Sequence, residues 1–266
     1  MKVRPRPLSA LVYLELINAT SSERETAGRP GGHAPTGPPR DRHAMRPADS
    51  SPAGADRVRR VYERVAGRYD RVIALYALFG YRAKAYRRCA VRALRLRPGQ
   101  TVVDVGCGTG KNLPLLAEAV GPTGRVVGVD FSASMLAQAR ARAERHRLAS
   151  VELVEADAAS FVFPDGLDRV IATFSLSMMP DPGQVIARAA AALPPDGRLA
   201  VLDFRVPEAW PEQVRRAVTA GTAHLGETWA MAERDLREPM RQHLDLDTDE
   251  AFCFGAAYVA AGTPIP

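Results

Sequence analysis

Apolar positions recur at two different spacings along this chain, and the alternation between them predicts its architecture. From Asp56 to Leu96 the spacing is helical. Val58, Val61, Tyr62, Val65 and Tyr69 return at three- and four-residue steps, and a second run from Tyr81 puts Ala85, Cys89 and Ala93 on one side. After the turn Arg97-Pro98-Gly99 comes a Val-rich run, Thr101 to Val105, too short for a buried helix and therefore a strand. Strands over Arg125 to Asp130, Val151 to Val154, Asp168 to Phe174 and Arg198 to Phe204 then alternate with helices over Leu113 to Val120, Ser132 to about His146 and Pro182 to Leu193. Turn residues separate them at Gly121-Pro122-Thr123-Gly124 and Pro194-Pro195-Asp196-Gly197. Strands alternating with helices predict a doubly wound, mainly parallel α/β sheet with helices on both faces.

Residues 1–55 break the pattern. Pro30-Gly31-Gly32, Pro35, Pro38, Pro39 and Ser50-Ser51-Pro52 lie in a stretch with few aromatics, which cannot bury enough surface to offset ordering entropy. A disordered N-terminal extension over 1–55 and a single catalytic domain over 56–266 are expected, with the early helices as a lid. Lys2, Arg4 and Arg6 precede the apolar stretch Leu8 to Ile17, but Glu15 within it and the lack of a small-residue cleavage site argue against export. A dispensable extension, with the working start near Met45, is the expectation.

Charge and cysteine content narrow the setting. The net charge of +6 is unevenly spread, because Asp56 to Arg97 holds thirteen Arg or Lys against three acids while the chain from Pro98 onward is net acidic. Lys84, Arg88, Arg92 and Arg95 form a stripe on the second helix. Such a stripe is ordinarily a solvated face; its alternatives are an anionic membrane surface, an acidic substrate or nucleic acid. Cys89, Cys107 and Cys253 are widely spaced, without metal-ligand spacing, so no metal is expected and a reducing cytoplasm fits. No apolar run is long enough to cross a bilayer.

The chemistry concentrates in Val102-Val-Asp-Val-Gly-Cys-Gly-Thr-Gly110, between a predicted strand and a helix. In a doubly wound sheet the ligand crevice lies outside the carboxyl ends of the strands, where this loop falls. Gly106, Gly108 and Gly110 let the backbone turn and approach a ligand closely, and the following helix offers amides suited to a carboxylate. A dinucleotide fingerprint needs its third glycine at 111, which is Lys. With Asp104 two residues ahead, Gly-x-Gly-x-Gly favours a small zwitterionic ligand. Asp130, ending the second strand, can accept from both hydroxyls of a ribose. Asp157, after the third strand, can accept from an exocyclic amine while the Ala158 amide donates to a ring nitrogen.

Together V-V-D-V-G-C-G-T-G, V-V-G-V-D-F-S-A-S-M-L, V-E-A-D-A and L-P-P-D-G-R-L-A-V-L-D-F resemble class I S-adenosylmethionine methyltransferases, and more narrowly the ubiquinone/menaquinone biosynthesis (UbiE-like) family. The similarity covers about Tyr62 to Pro207, with a further patch at Phe252 to Gly262. It implies the seven-stranded methyltransferase variant of the doubly wound sheet, with S-adenosyl-L-methionine as cofactor. It also implies a cofactor site of Asp104, Gly106, Gly108, Thr109, Gly110, Asp130, Phe131, Asp157, Ala158 and Thr173, with Phe174 and Leu176 walling the pocket. Quinone methylating members carry a His-Arg-x-Trp-Lys cluster after Tyr-Asp, whereas here Tyr69-Asp70 is followed by Arg71-Val-Ile-Ala. Phe174-Ser-Leu-Ser-Met-Met-Pro-Asp is more similar to bacterial lipid amine N-methyltransferases. The acceptor is thus a quinone-like ring carbon or a lipid or small-molecule amine, with Tyr69, Asp70 and His224 as candidate bases.

A cytoplasmic enzyme with peripheral contact to anionic membrane and no nucleic-acid partner is expected; oligomeric state carries no signal. The alternatives are a cofactor-binding regulatory or assembly protein without turnover and, disfavoured by Lys111, a dinucleotide-dependent oxidoreductase.

Overall fold

In the computed structural model, which describes residues 82–213, 215, 216 and 234–266, the alternating segments form one seven-stranded sheet. Its strands are β1 (Thr101–Val105), β2 (Arg125–Asp130), β3 (Val151–Glu155), β4 (Arg169–Thr173), β5 (Arg198–Phe204), β6 (Leu244–Phe252) and β7 (Ala257–Pro264), in the order β3-β2-β1-β4-β5-β7-β6. The first five are parallel, and β7 runs antiparallel between β5 and β6. The helices are α1 (Ala83–Ala93), α2 (Leu113–Val120), α3 (Ala133–Arg145), α4 (Pro182–Ala192) and α5 (Arg237–Arg241). The extension over 1–55, the helical run from Asp56, and Tyr69, Asp70 and His224 lie outside the described residues.

Period-two alternation builds the two core layers. Along β1, Val103 and Val105 join Val185, Ile186 and Ala189 of α4, whereas Val102 joins Ala90 of α1 and Leu113, Leu116 and Val120 of α2 on the other face. Asp104 shares the Val102 face. The final hairpin escapes such patterning, because Ala257 to Ala261 of β7 is buried throughout and so has no polar alternation. Phe252, which ends β6, stacks on Tyr86 of α1 with ring centroids 4.7 Å apart.

Two expectations for α1 need correction. It is a layer of the fold rather than a lid: it packs on β4, β5 and β7, with Ala90 and Leu94 fully buried. Its last carbonyls are capped by buried arginines, Arg198 Nε donating to Ala93 O and Arg169 Nε to Leu94 O, each at 3.0 Å. Its buried line is Tyr86, Ala90 and Leu94, one residue on from Ala85, Cys89 and Ala93, which are half-buried at its margin. The basic stripe is exposed, but Arg95 pairs with Asp247 at 2.9 Å. Asp247 is the extra residue of a bulge in β6 and also accepts from Arg198. Among the described residues no helix is long and apolar enough to cross a membrane.

Candidate functional site

The strand order reverses at β1, which has β2 on one side and β4 on the other, so the crevice of the fold opens where these strands end. The loop 106–112 rims it. Gly106, Gly108 and Gly110 have φ of 66°, 54° and 75°, the left-handed region that side chains disfavour. Gly106 is also sterically required, since a side-chain carbon there would sit 2.5 Å from Ser175 Cβ. At Gly108 such a carbon would meet nothing within 4 Å. Protein packing therefore leaves open space at Gly108, where a ligand can approach the backbone.

Asp130 organises the rim. Its carboxylate accepts from the Gly108 amide at 2.8 Å and the Ser132 amide at 3.0 Å, tying the loop to the start of α3, and it stays 8% exposed. Ser132 caps α3 by accepting from the Met135 amide. Thr109 is buried, and its hydroxyl accepts from Arg142 of α3 at 3.1 Å, so its side chain points into the fold. Asp157 is exposed and accepts from the Ala159 amide at 2.9 Å, while the Ala156 amide donates to Asp130 O at 3.1 Å. Asp130, half-buried Phe131, Asp157 and half-buried Ala158 thus gather at the adjoining ends of β2 and β3.

Asp104 and Thr173 sit deeper, joined by two residues that motif reading missed. Asn112 Nδ2 reaches both Asp104 oxygens, at 3.0 and 3.1 Å, and Thr173 Oγ1 at 2.9 Å. Arg87, from α1, donates to Asn112 Oδ1 at 2.9 Å and also to Thr173 Oγ1. Its guanidinium lies 5.1 Å over the Phe174 ring, which tilts against Phe204 at 4.5 Å. Phe174 is held at φ 55°, in the left-handed region, at the end of β4. Leu176 does not wall the crevice; it is buried in the core layer with Val105 and Val185. A sequence signal for Arg87 existed, because it falls between Ala83, Ala90 and Leu94 at helical spacing, a charge on the buried face of an amphipathic helix.

Burial pushes the Asp104 carboxyl up to about 7, against the Asn112 hydrogen bonds and the Arg87 charge, with the Asp130 charge adding to the rise. The sign follows from linkage. The folded state holds this proton where the unfolded chain has released it, so stability falls as pH rises from about 4 to about 7, by at most about 1.4 kcal/mol per unit. Asp104→Asn removes this dependence. Denaturant unfolding at pH 5 and pH 8 should show the variant gaining relative to wild type at the higher pH; a constant difference would show that Asp104 does not titrate there.

A parallel sheet closed by an antiparallel β7, with a glycine loop at its switch point, is the class I methyltransferase, Rossmann-like fold. The family model described as a methyltransferase domain matches residues 96–248, and the chain belongs to that family. Demethylmenaquinone methyltransferases of Listeria welshimeri serovar 6b and Bacillus cereus are 35% and 34% identical over 153 residues, bearing out the UbiE-like resemblance. Each match covers 57% of this chain and 64% of the relative, so the chain spans less than two thirds of the length of these curated relatives. Among solved structures, a chain of the complex between the Haloferax volcanii Trm112 methyltransferase activator and a methyltransferase superposes with a TM-score of 0.60. It is 17% identical, over 77% of this chain and 98% of that one. Haemonchus contortus phosphoethanolamine N-methyltransferase 2, in complex with S-adenosyl-L-methionine, gives 0.54 at 17% identity, over 68% of this chain and 52% of that one. At these identities the likeness is one of fold.

Proposed function

We propose that the chain is an S-adenosyl-L-methionine-dependent methyltransferase whose acceptor is a small or amphipathic molecule methylated at a quinone-like ring carbon. The observation that carries this reading is the open space at Gly108, beside the buried carboxylate of Asp130, at the switch point of the sheet. The residues present fit the cofactor. The open backbone at Gly108 suits close approach of its methionyl part, Asp130 its ribose, and Phe131, Asp157 and Ala158 its adenine, with Asp104 and Thr173 supporting the methyl end. When bound, the cofactor supplies an electrophilic methyl group on a sulfonium.

The chain's own part is alignment and exclusion of water. Phe174 and Phe204 offer two mutually tilted apolar rings, and the Arg87 guanidinium beside Phe174 favours an acceptor oxygen that carries negative charge and opposes an ammonium. This favours ring carbon over amine as the acceptor, in keeping with the names of the relatives. Tyr69, Asp70 and His224 are the candidates for a base. Exposed Lys84, Arg88 and Arg92 support peripheral contact with an anionic membrane on the cytoplasmic side.

Calorimetric titration with S-adenosylhomocysteine, followed by radiolabelled methyl transfer to a demethylated quinol, tests the reading. Binding without transfer to the quinol or to any component of a cell extract would replace it with the regulatory one, and binding of a nicotinamide dinucleotide alone would overturn it. Arg87→Met should lower kcat/KM by one to two orders of magnitude, as expected for about 1.5–3 kcal/mol lost with a charged hydrogen-bond donor. Arg87→Lys should recover part, keeping the charge without the fork. Unchanged kinetics in both variants would remove Arg87 from the site.

A further inference from the structure

A second set of contacts reaches the glycine loop from the far end of the chain. Leu176–Met178 form a single 3-10 turn after β4, flanked by Ser175 and Met179. On one side this turn is fixed to the loop. Ser175 Oγ donates to Val105 O at 2.9 Å, the carbonyl just ahead of Gly106, and Ser175 Cβ and Met179 Cε lie 2.5 and 3.5 Å from where a Gly106 side chain would begin. On the other side the turn is held twice. The buried Asp203 carboxylate, ending β5, accepts from Ser177 N at 3.0 Å and Ser177 Oγ at 2.8 Å. Arg234 Nη1 donates to Met179 O at 2.6 Å and Ser177 O at 3.2 Å.

Arg234 begins a short strap that is itself well anchored. Asp235 accepts from Arg205, at the end of β5, at 3.1 Å and from Arg237 Nε at 2.8 Å, and the Leu236 amide donates to Tyr258 Oη of β7 at 3.1 Å. The strap therefore joins β5 and β7 to the turn, and the turn bears on Gly106. The Asp203 bonds hold the first part of the turn, at Leu176 and Ser177, and do not reach its Met179 end. Arg234 alone, among the described contacts, grips the carbonyl of Met179, whose methyl packs toward Gly106.

We propose that Arg234 is a positioning residue for the cofactor loop: by holding the Ser175–Met179 turn against Gly106, it makes cofactor affinity depend on the strap that precedes α5. The inference rests on the reading of the loop as the cofactor site. Neutralising the guanidinium leaves two carbonyls without their donor and lets the Met179 end of the turn withdraw, so the loop loses its preset shape before the ligand arrives. Ligand binding must then include the cost of reordering it.

The test is titration of full-length protein with S-adenosylhomocysteine, alongside melting temperatures. Arg234→Gln should raise Kd five- to twentyfold, and Arg234→Lys, whose ammonium can donate to both carbonyls, should recover most of the loss. A role confined to stability would lower the melting temperature of Arg234→Gln and leave Kd unchanged, which would overturn the proposal. Ser175→Gly probes the same coupling from the loop side without touching a charge, and keeps the test open if Arg234→Gln does not fold. It should raise Kd by itself and, in combination, make the Arg234→Gln effect smaller than twofold. An unchanged Kd in Ser175→Gly, or full additivity of the two, would equally overturn it. Failure of the wild type to bind would overturn the functional reading as well, whereas unaltered variants of a binding wild type overturn this coupling alone.

Discussion

Gly106→Val is expected to abolish S-adenosylhomocysteine binding in a protein that still folds. Two costs coincide at this position. The backbone sits at φ 66°, where a β-branched residue is strained, and its Cβ would lie 2.5 Å from Ser175 Cβ and 2.9 Å from Ser175 Oγ. The turn after β4 must then move, or the loop must shift into the space beside Gly108. Either change spoils the cradle, while the core layers formed by Val102, Val103 and Val105 lie below it. Gly108→Ala makes the informative contrast, since its added carbon meets no protein atom. There only the backbone conformation opposes the change, at about 1 kcal/mol, yet the open space is partly filled. Its melting temperature should change little while binding falls. A folded Gly106→Val variant with wild-type affinity would contradict the loop assignment.

Asp130→Ala should weaken S-adenosylhomocysteine binding by about 1.5–3 kcal/mol, roughly tenfold to more than a hundredfold, because a charged acceptor for ribose hydroxyls is lost. The structure adds a second reason for a large effect. The same carboxylate accepts from the Gly108 and Ser132 amides, so its removal also releases the loop from the start of α3. Asp130→Asn keeps one acceptor oxygen and should lose less. Titration of both variants decides; unchanged affinity in each would remove Asp130 from the site.

The two predictions differ in how far the sequence alone supports them. The strand, glycine loop and helix around Gly106, and the carboxylate ending β2, are local features. A Val-rich run of five residues, glycines where φ must be positive and a Ser cap at Ser132 are each decided by neighbours in the chain. Hence the boundaries of β1, α2, β2 and β5 coincide with those read from periodicity. The backbone amides that Asp130 and Asp157 hold were not legible, but their places at and just beyond the ends of β2 and β3 were.

What the sequence by itself determined is the class of fold, the place of the cofactor loop and the acids at successive strand ends, because helix and strand periods and turn conformations depend on adjacent residues. Only the tertiary structure decided what surrounds them. Asn112 meets Thr173 across 61 positions, Arg87 meets Asn112 across 25 and Arg234 meets Met179 across 55. Those meetings follow from strand order, which sets β4 beside β1 and turns α1 until its one buried-face arginine reaches the crevice. No local pattern encodes that order, and so neither the burial that raises Asp104 nor the strap that steadies Gly106 is visible until the sheet is assembled.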